Sequence, residues 1–200
     1  MESKELEASM KVVAINGSAR KDGNTAILIN QALRALEAEG IETEMIQLSG
    51  KGIRGCTACG KCFENKDKRC AVDDDPLNEY LAKMLEADGI ILGSPTYFAD
   101  LSSELKAVID RAGFVARANG NLFRRKVGAA IVADRRAGAI HAFDSINHFF
   151  LISEMIVPGS SYWNIGFGLK KGDAENDEEG LETMQQLGKN MAWLLKKINA

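Results

Sequence analysis

Four cysteines are spaced Cys56-x2-Cys59-x2-Cys62-x7-Cys70, and the chain has no others. In a reducing compartment, cysteines crowded this closely point to metal or redox chemistry rather than to structural disulfides. Four thiolates complete the ligand set of a cubane 4Fe–4S cluster. The bacterial ferredoxin run differs, because it has three residues before its last cysteine and a proline after it. Four thiolates also make a tetrahedral zinc site, although such sites usually separate two cysteine pairs by a longer span. A redox dithiol at Cys56 and Cys59, with a lowered thiol pKa, is a third reading. A loop of free thiols is the plainest. Lys61, Lys66, Lys68 and Arg69 lie around the motif and would offset the negative charge of a cluster; they serve equally as solvated loop residues.

A second chemical stretch is Gly17-Ser18-Ala19-Arg20-Lys21-Asp22-Gly23-Asn24-Thr25. It follows the apolar run Val12-Val13-Ala14-Ile15, which reads as a buried strand, and precedes a helical pattern from about Thr25 to Glu39. A polar turn in that position aims backbone N–H groups and the positive end of a helix dipole at one spot, which suits an anion. Ser18, Asn24 and Thr25 add short donors, and Arg20 adds charge. No Gly-Lys-Ser/Thr follows, so this is not a Walker loop, and the glycine spacing is not G-x-G-x-x-G. An ordinary strand-to-helix turn capped by Asn24 or Thr25 fits the same residues. A third stretch, Pro95-Thr96-Tyr97-Phe98, follows the apolar run Ile90-Ile91-Leu92. Tyr97 or Phe98 could pack on a flat heterocycle by offset stacking.

These stretches need a scaffold, and the periodicity supplies one. Strands are predicted over Lys11–Ile15, Ile41–Leu48, Gly89–Gly93 and Lys126–Ala133, with a short fifth near Met155–Val157. Helices alternate with them, starting near Thr25, Pro76, Ser102, Ile140 and Glu178. Asp74 or Asp75 is a cap for the second, and Tyr162 to Gly172 reads as a Gly-rich loop. Alternation of this kind gives an α/β doubly wound parallel sheet covered on both faces. In the order 2-1-3-4-5, the first and third strands meet at a topological switch. The loops Gly17–Thr25 and Ser94–Phe98 then line one crevice, flanked by Asp134 to Gly138. Residues 1–9 read as a polar, flexible leader. Residues 10–200 read as one domain carrying a cysteine-rich insertion at 50–75.

Composition narrows the function. The 200 residues are 46% hydrophobic with a net charge of −3. That balance argues against nucleic-acid binding. No apolar run can span a bilayer, and the charged N-terminus lacks a signal-peptide core, so a cytoplasmic location is expected. No Ser-His-Asp set or paired-carboxylate motif stands out.

The Gly17-Ser18-x-Arg20-x-x-Gly23-Asn24-Thr25 stretch, the cysteine insertion and Gly93-Ser94-Pro95-Thr96-Tyr97 together resemble the NAD(P)H-dependent FMN reductase family, and within it the iron–sulfur flavoproteins. The resemblance covers nearly the whole chain from Met10. It implies a flavodoxin-like fold, non-covalent FMN and a homodimer or homotetramer. Ser18, Arg20, Asn24 and Thr25 would hold the FMN phosphate. Pro95, Thr96, Tyr97 and Phe98 would lie along the isoalloxazine. Asp134 and Gly138 would border it, although relatives often carry a glycine-rich segment where this chain has Asp134-Arg135-Arg136-Ala137-Gly138. Cys56, Cys59, Cys62 and Cys70 would hold a 4Fe–4S cluster. The implied activity is an FMN-dependent oxidoreductase passing electrons from NAD(P)H, ferredoxin or another carrier to an acceptor that the sequence does not identify. The alternative is a non-catalytic flavin- or metal-binding carrier or sensor, with the cysteine loop as a zinc or interaction site.

Overall fold

The computed structural model describes residues 10–199; the expected leader, residues 1–9, lies outside the described residues. Five parallel strands, β1 (Lys11–Asn16), β2 (Glu42–Gln47), β3 (Gly89–Pro95), β4 (Val127–Asp134) and β5 (Ile165–Phe167), form one sheet in the order β2-β1-β3-β4-β5. The helices are α1 (Asn24–Ala38), α2 (Lys61–Asn65), α3 (Leu77–Glu86), α4 (Ser103–Ala118), α5 (Ala139–Ile152) and α6 (Glu178–Ile198).

Side-chain alternation along the strands splits the core into two layers. Val13, Ile15, Ile90, Leu92, Ala130 and Val132 face α3, α4 and α5. Val12, Ala14, Ile91, Ala129, Ile131 and Ala133 face α1 and α6. Strands buried on both faces explain the unbroken apolar runs of β3 and β4. β2, at the sheet edge, is largely half-exposed, as its alternating pattern predicts.

The fifth strand differs from the sequence expectation. At Met155–Val157 there is a single bridge, Ile156 to Val127: Ile156 N donates to Lys126 O, and Ile156 O accepts from Gly128 N, both at 2.9 Å. Pro158 then interrupts the ladder, since it has no N–H to donate. The chain rejoins β4 at Ile165–Phe167, opposite Val132 to Asp134. Asn164 closes the gap: its Nδ2 donates to Ala130 O at 3.0 Å, and its carbonyl accepts from Val132 N at 2.9 Å. The true edge strand therefore falls inside the segment read as Gly-rich loop. Helix α2, inside the cysteine segment, is a further element that periodicity did not reveal.

Candidate functional site: a cleft at the strand switch and a cysteine cavity

β1 and β3 run side by side, while their crossover connections leave in opposite directions. Their C-terminal ends open a cleft of about 210 Å³ lined by Ser18, Arg20, Asn24, Thr25, Pro95, Thr96, Tyr97, Asp134 and Arg135, with Ala133, Gly168 and Leu169 completing it. Four separate segments, following β1, β3, β4 and β5, thus meet where the topology requires a switch-point crevice.

The first loop is held rigidly. Gly17 N donates to Gly93 O at 2.8 Å. Asn16 Oδ1 accepts from Ser18 N at 3.0 Å, and Gln47 Nε2 donates to Ser18 O at 2.7 Å. A Cβ on Gly17 would lie 2.8 Å from Leu105 Cβ and 2.9 Å from Ser102 Oγ, so only glycine allows this approach. Ser102, the N-cap of α4, donates its hydroxyl to Gly17 O at 2.7 Å and accepts from Leu105 N at 3.3 Å.

The donor set suits an anion. Helix α1 begins after Gly23 with no side-chain cap and no acidic residue in its first turn. Its leading N–H groups and positive dipole end are therefore open to a ligand. Ser18 Oγ accepts from Arg20 N at 3.1 Å, which leaves its own proton to donate. Thr96 Oγ1 is buried and has no partner among the described residues. A buried hydroxyl without a partner costs free energy, and Thr96 borders the cleft.

Asn24 takes a different part from that of a simple donor. Its Nδ2 donates to Lys170 O at 3.0 Å, and its Oδ1 accepts from Gly172 N at 3.0 Å and Ala174 N at 3.3 Å. The amide fastens the segment after β5 against α1. Gly168 makes this possible, because a Cβ there would lie 2.4 Å from Asn24 Nδ2. Asp134 is likewise engaged within its own loop: Oδ1 accepts from Arg135 N at 2.6 Å, and Oδ2 from Ala139 N at 3.0 Å. Phe98 stands fully exposed with φ 45°, outside the cleft lining. Gly138, with φ 100°, sits behind the lining, where an added Cβ would lie 3.5 Å from Thr96 Cγ2 and from Ala99 Cα. Gly168, Leu169 and Ser102 were not among the residues singled out from sequence; an N-cap serine and the Gly-rich character of 162–172 were the available signals.

All four cysteines line a second cavity, of about 230 Å³, with Arg111, Phe114 and Val115 of α4 as its floor. Ala58 and Gly60 are left-handed, with φ 53° and 74°, and wind the chain tightly around the first three cysteines. Cys56 Sγ accepts from Ala58 N at 3.4 Å. The backbone N–H of Lys61 leads in drawing the Cys59 thiol pKa down, while burial pushes that of Cys62 up. Cys70 is placed by the scaffold instead: its N donates to Asn78 Oδ1 at 2.8 Å, and its O accepts from Asn78 Nδ2 at 2.9 Å. Among the described residues, no three His, Cys, Asp or Glu side chains converge as they would on a single metal ion. The four sulfurs border a volume rather than a point.

A doubly wound sheet ordered 2-1-3-4-5, with an anion-accepting crevice at its switch point, defines the flavodoxin-like class. A solved archaeal flavodoxin superposes on it with a TM-score of 0.61 at 18% identity, covering 94% of this chain and 99% of that one. The sequence profile of the NADPH-dependent FMN reductase family matches residues 10–170. An iron–sulfur flavoprotein of Methanocaldococcus jannaschii is 44% identical over 196 residues, covering 94% of this chain and 99% of that protein. Another, from Methanosarcina thermophila, is 35% identical over 192 residues, covering 94% and 97%. The chain belongs to the NADPH-dependent FMN reductase family and is similar across its length to the iron–sulfur flavoproteins within it.

Proposed function

We propose that the protein is an FMN-dependent oxidoreductase of the iron–sulfur flavoprotein type. The observation that carries this reading is the convergence of a helix N-terminus without a side-chain cap, Ser18, Thr25 and Thr96 on one cleft. Ser18, Arg20, Thr25 and the first N–H groups of α1 would hold the FMN phosphate. Pro95, Thr96 and Tyr97 would border the ring, with the backbone of Asp134–Gly138 at its far edge. Asn24 would act by keeping residues 168–174 closed over the phosphate end. When bound, FMN supplies hydride and electron transfer; the loops bind, orient and exclude water.

Cys56, Cys59, Cys62 and Cys70 would ligate a 4Fe–4S cluster, which supplies single-electron transfer. A lone zinc ion holds its sulfurs about 3.8 Å apart, from Zn–S bonds of about 2.3 Å in a tetrahedron. Sulfurs spread around a cavity support the wider centre. NAD(P)H is the proposed source of electrons. We propose a cytoplasmic homodimer or homotetramer; the exposed apolar residues Leu151, Tyr162 and Trp163 around one groove support self-association. No described helix is long and apolar enough to cross a membrane.

Anaerobic purification tests the whole reading. The expected product is yellow-brown, releases a flavin mononucleotide on denaturation and contains near-equal iron and sulfide. Turnover of an artificial acceptor with NAD(P)H is expected. A released dinucleotide, or zinc in place of iron, would overturn the corresponding assignment, and a flavin that NAD(P)H never reduces would favour a carrier.

A further inference from the structure

The side chain of Arg111, on α4, has no solvent exposure. A guanidinium survives such burial only where its donors are matched and its charge is paired. Nη1 donates to Asp75 Oδ2 at 2.5 Å and to Arg54 O at 3.1 Å; Nη2 donates to Val72 O at 2.7 Å; Nε donates to Cys70 Sγ at 3.4 Å. Every acceptor belongs to residues 54–75, so one side chain gathers the cysteine segment onto α4. Asp75 is equally committed: Oδ1 accepts from Leu77 N at 3.1 Å at the head of α3, and Oδ2 also accepts from Arg54 N at 3.3 Å.

Among these partners the sulfur is the odd one. A neutral thiol is a weak acceptor, a poor match for a buried cation, whereas a thiolate bound to a positively charged centre makes a charge-assisted hydrogen bond. Asn78 already fixes the backbone of Cys70 from α3. Arg111 fixes its sulfur from α4. The pair Asp75–Arg111 is thus polarised, with its positive end against the cavity wall and its negative end behind.

We propose that Arg111 is the positioning residue of the cysteine centre: it holds the Cys70 sulfur toward the cavity and supplies, with Asp75 behind it, the buried charge against which the centre's redox potential is set. This rests on the cluster proposed above. Reduction adds negative charge to the centre, so a neighbouring cation favours it and a neighbouring anion opposes it.

The test uses the full chain, prepared anaerobically, as wild type, Arg111→Gln, Asp75→Asn and Arg111→Lys. The midpoint potential of the iron–sulfur signal, iron retention against a chelator, and FMN content are measured. The Arg111→Gln potential should move negative, and that of Asp75→Asn positive, with FMN content unchanged. Arg111→Lys should keep the wild-type potential but lose iron roughly 10- to 100-fold more readily, the usual scale for a group supporting a ligand, because one ammonium cannot serve four acceptors. Shifts of equal sign, or none, would overturn the charge role. Wild-type iron retention in Arg111→Lys would overturn the positioning role. If Arg111→Gln fails to fold, seen as absent FMN and no cooperative melting, the Asp75→Asn and Arg111→Lys outcomes still decide. Wild-type protein with no iron would reject the cluster itself and the proposal with it, a failure distinct from those above.

Discussion

Ser102 Oγ donates a hydrogen bond of 2.7 Å to the carbonyl of Gly17, 85 residues earlier in the chain. This contact joins the head of α4 to the loop after β1. The backbone N–H of Ser102 meanwhile donates to Ser94 Oγ at 2.9 Å. The two loops bordering the cleft are thereby locked to one helix start, and their separation is set before any ligand arrives.

Ser102→Ala removes an N-cap and the clamp together. A lost cap costs about 0.5–2 kcal/mol, and the freed loop should bind FMN more weakly. Gly17→Ala presses on the same junction from the other side, since the added methyl must displace Leu105 or Ser102; overpacking of this kind costs about 1–3 kcal/mol. Denaturant melting with FMN titration checks both. Unchanged FMN affinity in both variants would show that the junction does not govern the cleft.

Ser18→Ala and Thr25→Ala each remove a donor from the proposed phosphate site; both side chains are buried, and Ser18 Oγ also accepts from Arg20 N, so melting is measured beside affinity. A hydrogen bond to a charged group contributes about 1.5–3 kcal/mol, so FMN should bind roughly 10- to 100-fold more weakly in each. Asn24→Ala should act by another route. It releases the backbone at 170, 172 and 174, so faster amide exchange across 168–174 should accompany its loss of affinity.

The sheet was legible because the runs at Val12–Ile15, Ile90–Leu92 and Val127–Ala133 are short, wholly apolar apart from Gly128 and alternate with helical periods. The cleft was legible because its polar loops follow those runs directly. The fifth strand was not: Met155-Ile156-Val157 looks more like a strand than Ile165-Gly166-Phe167, and only pairing with β4 discriminates between them. Arg111 was hidden for a related reason. It falls within an amphipathic helical pattern whose buried positions are otherwise apolar, and nothing local reveals that its partners arrive from residues 54–75. The double use of Asn24 depends on a segment nearly 150 residues away and has no local signature.

Acid should loosen the cysteine segment. Burial alone would raise the Asp75 carboxyl, but hydrogen bonds from Arg111, Leu77 N and Arg54 N outweigh it and hold the group below the usual carboxylate range. The unfolded chain then binds this proton more readily, so stability rises with pH through the window. The contribution is complete above the unfolded value of about 3.9 and is lost as pH falls through the folded one. Asp75→Asn keeps an acceptor but removes the charge, which should cost about 1.5–3 kcal/mol near neutrality. Denaturation of wild type and variant between pH 7 and about 3 should show that gap closing only at the acid end. A gap independent of pH would remove the carboxylate from the account.

Loss of the cysteine centre should leave the flavin in place. The cleft and the cysteine cavity share no lining residue. Their link is α4, and Arg111 lies nine residues beyond Ser102, about 13 Å along the axis at 1.5 Å per residue. Outside its own helix, Ser102 hydrogen-bonds to Gly17 after β1 and Ser94 of β3, whereas the cysteine segment is fixed by Asn78, Asp75 and Arg111. Cys56→Ser and Cys59→Ser, on the exposed side of the loop, should therefore abolish iron binding and keep full FMN content. Cys70→Ser should also abolish it, and should cost some stability in addition, because its sulfur is the acceptor for a buried guanidinium. Flavin and iron quantified on the same samples decide the matter, and a parallel fall in both for Cys56→Ser would mean that the two sites are not independent.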